Sequence, residues 1–266
     1  AHVVCSGAVY GGTYSFLRNV LSRFGVETDF VDITDLDAVE AAIRPTTRII
    51  YAETIANPTT AVADLRKLAE IAHDAGALLV VDSTLAPPVI CRPLEHGADL
   101  VVHSATKYIG GHSDVTGGVV TGRIELISNI RGVRVDTGAS LSPDEAFLLR
   151  RGLETLPLRV RRACSTASVF AAALSRHPAV LRIDYLGLPD HAGDLLEDLG
   201  YSRAEVLRRL RFLKPAGPFR SRYAYTNFGF TEAGVATARA AGKTWEALAS
   251  DRLFKPLGMG RTSYRH

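Results

Sequence analysis

From residue 1 to about 122 the chain alternates between two hydrophobic periods. Short apolar runs, "HVVC" at 2–5, "TDFVDI" at 28–33, "TRIIYAET" at 47–54, "ALLVVDST" at 77–84 and "ADLVVHSAT" at 98–106, predict strands. Between them lie stretches with apolar residues at helical spacing. "TYSFLRNVLSRFG" ends on Gly25, "DLDAVEAAI" opens on Asp35, and "VADLRKLAEIAHDAG" closes on Gly76, each with the capping residue a helix end requires. The later strands are apolar almost throughout, which fits a sheet buried on both faces rather than one with a wet side. Repeated β-α-β units predict an α/β fold with a mostly parallel sheet flanked by helices.

Beyond residue 140 the texture changes. Residues 142–176 predict a helix, a Leu/Arg-rich turn and a second, long helix. "PAVLRIDYLGLPDHAG" at 178–193 reads as an irregular link. After about residue 193 the β-α alternation is gone and the tail looks mainly helical, with a Gly-Met-Gly turn near its end. Three segments follow from this: 1–140 as the α/β portion, 141–193 as connecting helices and the start of a C-terminal domain, and 194–266 as a separate fragment.

In open α/β sheets ligands gather beyond the carboxyl ends of the strands. Here those ends are polar. Glu53 follows "IIYA", Asp82-Ser83-Thr84 follow "LLVV", and His103-Ser104 follow "LVV". Lys107 comes three residues later and admits two chemistries. Ser104-Ala105-Thr106-Lys107 matches the S-x-x-K pattern of serine β-lactamases. The same lysine, after a buried strand and beside two hydroxyls, suits a cofactor carried as a Schiff base, for which Asp82 and the hydroxyls of Ser104 and Thr106 supply the other partners. A lysine predicted to be buried calls for such a role.

Composition changes this picture little. A 47% apolar and 22% charged chain is a soluble globular one, and a net charge of +3 is too small to argue for nucleic acid. The arginines at 203, 208, 209, 211, 220 and 222 read as a solvated helix face. No run is long enough to span a membrane and no leader is visible, so a cytoplasmic location is expected. The opening strand implies a very compact start or a fragment lacking its N-terminal part. Cys5, Cys91 and Cys164 show no zinc spacing, and no metal site is expected; they read as reduced thiols in or near a core. His103 and His112 read as packing or hydrogen-bonding histidines, and Asn57-Pro58 as a turn.

"YGGT" at 10–13, "ETIANPT" at 53–59, "VVDSTLAPP" at 80–88, "SATKYIGGHSD" at 104–114 and "LRRGLETLPLR" at 149–159 occur in this order. Together they resemble the Cys/Met-metabolism (trans-sulfuration) family of fold-type I pyridoxal phosphate enzymes, over roughly 1–193. The resemblance implies pyridoxal 5′-phosphate as cofactor. It implies elimination or replacement at Cγ or Cβ of sulfur-containing or O-acylhomoserine amino acids, of the cystathionine γ-synthase and γ-lyase type. It implies that Lys107 carries the cofactor and shuttles protons, and that Asp82 pairs with the ring nitrogen. Tyr10 stacks on the ring and acts as acid or base near the leaving group. Ser104 and Thr106 hold the phosphate, Asn57 sits near the ring hydroxyl and substrate carboxylate, and Glu53 orients its neighbours. A homo-oligomer, a dimer of dimers, follows as the expected assembly.

The chain also departs from the family pattern. The segment that supplies a glycine-containing phosphate loop, and a tyrosine and arginine reaching a neighbouring subunit, has no counterpart here. The arginine that clamps the substrate carboxylate is not recognisable. Gly12 stands where the methionine γ-lyase type has cysteine. From about 194 the chain resembles instead a serine β-lactamase-like esterase or penicillin-binding-protein-like family, with Tyr225-Thr226-Asn227 as its Tyr-x-Asn motif. An apparent chimera joined near 190–195 is therefore expected. The alternatives to the pyridoxal reading are a serine hydrolase using that motif, and a truncated fusion with no catalysis.

Overall fold

A computed structural model describes residues 1–181 and 183–188, together with Gly242, Lys243, Ala247 and Asp251. The chain divides into two compact units, 1–215 and 216–266. The join expected near 190–195 and the Tyr225-Thr226-Asn227 motif lie outside the described residues. In the second unit, Lys243 pairs with Asp251 at 2.8 Å.

The first unit is built on a six-stranded sheet. Its strands are β1 (His2–Ser6), β2 (Glu27–Val31), β3 (Thr47–Glu53), β4 (Leu78–Asp82), β5 (Leu100–Ser104) and β6 (Gly118–Gly122). They lie in the order β2-β1-β3-β4-β5-β6, with β1 to β5 parallel and β6 antiparallel to β5. The predicted strands are therefore all present, and β6 is one the apolar runs did not announce. Its glycine ends and half-exposed valines leave little hydrophobic signal.

Two layers cover the sheet. On one face Val4, Ile50, Ala52, Leu79, Val81 and Val101 pack with α2 (Leu36–Ala41) and α3 (Leu65–Asp74). Leu65, Leu68 and Ala72 form the buried stripe of α3, and each leucine so buried contributes about 2 kcal/mol. Asp35 and Asp64 cap these helices, accepting from Ala38 N at 3.1 Å and Lys67 N at 3.0 Å. On the other face Val3 and Cys5 meet Leu17, from the helical segment that begins with α1 (Gly11–Ser15). That segment continues through a π-helical turn at Phe16–Val20 and a 3₁₀ turn at Leu21–Phe24. It stops at Gly25, whose φ of 74° is left-handed, as a helix stop requires. Burial holds the Cys5 thiol up at about 12 and the Cys91 thiol at about 11, so both are inert core groups.

After β6 come α4 (Ile124–Thr137) and α5 (Pro143–Leu174). The helix-turn-helix expected over 142–176 is instead one helix of 32 residues that runs through Pro157. Proline removes one internal hydrogen bond, but Leu149, Gly152, Leu156 and Val160 keep one buried face in phase across it. Tertiary packing thus overrides the local breaker. A capping box of Ser142 and Glu145 opens this helix. Among the described residues no helix is long and apolar enough to cross a membrane.

Candidate active site

Parallel strands deliver their carboxyl ends to one rim. β3 and β4 run in register, so Glu53 lies opposite Asp82, and Asp82 lies opposite Val102 on β5. The sheet order reverses between β1 and β3, a position where α/β sheets open a crevice. At that point the backbone N–H of Tyr10 donates to Glu53 Oε1 at 2.7 Å, and that of Asn57 to Oε2 at 3.4 Å. Glu53 is buried, and burial raises its pKa above the usual carboxylate range, against the pull of those two N–H groups. It therefore ties the loop after β1 to the loop after β3. Tyr10 is 70% exposed, an aromatic ring standing open at the rim. Asn57 is exposed, and its peptide bond to Pro58 is cis.

Asp82 ends β4 half-buried, and its Oδ1 accepts from Thr84 N at 2.9 Å. Among the described residues Oδ2 accepts no hydrogen bond. Ser83 turns the other way: Thr54 Oγ1 donates to Ser83 Oγ at 2.9 Å, and Ser83 Oγ to Ala86 O at 2.7 Å. On β5, Ser104 N donates to Thr84 Oγ1 at 2.8 Å. Ser104 O accepts from Lys107 N at 3.1 Å, so the lysine sits on a turn directly after the strand. The Ser104 hydroxyl has no hydrogen bond among the described residues.

One expectation is corrected here. Lys107 is exposed, not buried, because the turn lifts it off the end of β5. Its amine is presented at the surface of the rim. The Thr106 hydroxyl accepts from Gly117 N at 3.0 Å and lies 3.4 Å from Gly117 O, pinning the lysine turn to the chain entering β6. Ser104 also does not open a helix, as a β-lactamase nucleophile would; it closes a strand.

His103 is buried, and burial lowers its pKa despite the nearby Asp82 charge. Its Nδ1 has no partner among the described residues. His112 Nδ1 lies 2.7 Å from Gly110 O, a local hydrogen bond.

Sequence reasoning missed two residues. Thr84 links β4 to β5; its only signal was its place in the polar strand end "DST". Arg159 on α5 donates to Tyr108 O at 2.7 Å, Ile109 O at 3.4 Å and Gly152 O at 2.6 Å. It lay inside the quoted "LETLPLR" motif without an assigned task. The neighbouring Gly111 has a φ of 73°, and a side chain there would strike the Arg159 guanidinium.

Amine, carboxylate, free hydroxyl and exposed aromatic ring thus come from three strand ends, those of β1, β4 and β5, to one rim, a donor set that fits pyridoxal phosphate. The parallel sheet and this rim define a fold-type I pyridoxal phosphate architecture. The chain belongs to the Cys/Met metabolism PLP-dependent enzyme family, whose model matches residues 1–199. It is 50% identical over 188 residues to an L-methionine gamma-lyase of Pseudomonas putida, covering 70% of this chain and 47% of that protein. It is 48% identical over 193 residues to a cystathionine gamma-lyase of Bacillus subtilis, covering 72% and 51%. Among solved structures, cystathionine gamma-lyase from Lactobacillus plantarum complexed with L-serine superimposes with a TM-score of 0.70 at 41% identity, covering 75% of this chain and 52% of that one. The chain spans about half the length of the curated relatives it matches. A second family model, Beta-lactamase, matches residues 186–266, in line with the apparent chimera.

Proposed function

We propose that the first part of the chain binds pyridoxal 5′-phosphate and uses it for elimination or replacement at Cγ or Cβ of sulfur-containing or O-acylhomoserine amino acids. The observation that carries this is the rim itself: Asp82 and the Lys107 turn open at adjacent carboxyl ends of β4 and β5, on the rim that also carries the exposed Tyr10 after β1. When bound, the cofactor supplies an electron sink for charge developing at the substrate Cα. Lys107 holds it through Nζ and moves the Cα proton. Asp82 keeps the ring nitrogen protonated through its unengaged oxygen. Ser104 holds the phosphate, with Thr106 shaping the same turn and adding its hydroxyl. Tyr10 stacks on the ring and moves a proton at the leaving group. Asn57 lies at the ring hydroxyl and substrate carboxylate, and Glu53 fixes the two loops that carry Tyr10 and Asn57.

The partner under this reading is a small-molecule amino acid, and neither nucleic acid nor a membrane takes part. The location is cytoplasmic and the assembly a homo-oligomer; exposed Phe16, Val20 and Phe24, four residues apart, support a covered face. Residues 1–140 are the large-domain portion, 141–193 the connecting helices and the start of a C-terminal domain, and 194–266 a β-lactamase-like fragment without a catalytic part in this reaction. The test is borohydride reduction after incubation with pyridoxal phosphate, followed by peptide mapping. Cofactor mass on the Lys107 peptide is expected; its absence there overturns the reading.

A further inference from the structure

The β4–β5 ladder stops short of the site. Its last paired residues are Asp82 and Val102, and its last backbone bond runs from Ser83 N to Val102 O at 2.9 Å. Asp82 sits at the end of that ladder, but Lys107 lies five residues past Val102. The sheet alone therefore does not set the distance between the carboxylate and the amine. A reacting site tolerates little slack: a misplacement of about 1 Å can cost on the order of a hundredfold in rate.

Thr84 spans this gap with both of its polar ends. Its backbone N–H donates to Asp82 Oδ1 at 2.9 Å, which fixes the carboxylate rotamer and leaves Oδ2 for another donor. Its hydroxyl accepts from Ser104 N at 2.8 Å, giving that N–H a side-chain acceptor beyond the end of the β4–β5 ladder. Ser104 O in turn accepts from Lys107 N at 3.1 Å. The result is one continuous chain of hydrogen bonds from the Asp82 carboxylate to the backbone of Lys107. Ser83 does not share this task, because its hydroxyl is spent on Thr54 and Ala86.

We infer that Thr84 is a positioning residue, which holds the lysine-bearing turn at a fixed setting against the Asp82 carboxylate through the hydrogen bond from Ser104 N. The inference rests on the roles proposed above for Lys107 and Asp82. Thr84 touches neither the cofactor nor the substrate in this scheme. It acts through two residues that do.

The test uses the full chain with Thr84→Val, which keeps the side-chain shape and removes the acceptor, and Thr84→Ser, which keeps the acceptor. Titration with pyridoxal phosphate, read by visible absorbance, is expected to give binding about tenfold weaker in T84V and within about twofold of wild type in T84S. Hydrogen exchange of the cofactor-free protein adds a readout that does not depend on chemistry. The peptide holding Ser104–Lys107 is expected to exchange faster in T84V and at the wild-type rate in T84S. If T84V does not fold, Thr84→Ala carries the same two expectations. Wild-type affinity in T84V, or a loss in T84S equal to that in T84V, overturns the inference alone. No visible band in wild type overturns the cofactor reading, and the inference with it.

Discussion

Arg159, on α5, donates to the carbonyl of Tyr108, the residue next to Lys107, at 2.7 Å. The same guanidinium reaches Ile109 O and, within its own helix, Gly152 O. It thus clamps the far side of the turn that Thr84 holds at its near side. Arg159→Met removes these bonds and leaves carbonyls of that turn without their donor. A loss of about 2 kcal/mol is expected, measured by urea unfolding. Arg159→Lys recovers little of it, because one ammonium on a flexible stem cannot reproduce the planar fork. Equal stability of Arg159→Met and wild type would contradict the clamp.

Gly111 gives an independent check of the same contact. Gly111→Ala forces a side chain into the left-handed region and against Arg159. A loss of about 1–3 kcal/mol is expected from the backbone conformation alone. The control Gly138→Ala shares the positive φ but meets no atom within 4 Å. The larger loss belongs at Gly111, and a larger loss at Gly138 would contradict the collision.

Lys107 is exposed, so Lys107→Ala is expected to change unfolding free energy by no more than about 0.5 kcal/mol. The same variant is expected to lose the visible band formed with pyridoxal phosphate. Asp82→Asn keeps an acceptor for Thr84 N and removes the charge. Steady-state assays with a sulfur amino acid are expected to show a fall on the order of a hundredfold, with the fold intact by circular dichroism. An Asp82→Asn enzyme as fast as wild type would remove Asp82 from the reaction.

His103 predicts a pH dependence. Burial lowers its folded-state pKa below the ordinary 6.5, so the unfolded chain takes up its proton first as pH falls. Its contribution to stability is full above about 6.5 and is lost as pH falls from there towards the folded pKa, at up to about 1.4 kcal/mol per pH unit. His103→Asn removes that part of the slope, while His2 and His96, also lowered by burial, keep theirs. Denaturant unfolding between pH 7.5 and about 5 checks this; an unchanged slope would count against it.

The S-x-x-K reading makes the opposite demand on Ser104. With Ser104 at a strand end rather than opening a helix, a fluorophosphonate probe is expected to leave it unlabelled. Labelled Ser104 would favour the hydrolase.

Much of the fold was legible because the relevant forces are local. The apolar runs at 47–54 and 77–84 announce buried strands, and Asp35, Asp64, Gly25 and Gly76 mark helix ends by their own side chains or lack of one. The helix through Pro157 was not legible, since the contacts that carry it come from Ile109 and Gly110, more than 40 residues away. The exposure of Lys107 was misread for a related reason: the strand before it is buried, but the turn that lifts it away depends on Ser104, Gly117 and Arg159 together.

The amino-acid sequence by itself determined the chemistry available, an amine, two carboxylates, hydroxyls and a tyrosine, and placed each just beyond an apolar strand. Only the tertiary structure decided that these ends share one rim, that Glu53 faces Asp82, and that Thr84 and Arg159 hold the lysine turn from opposite sides. The physical reason is that side-chain identity and period are written locally, whereas strand order and register are set by hydrogen bonds and packing between segments tens of residues apart.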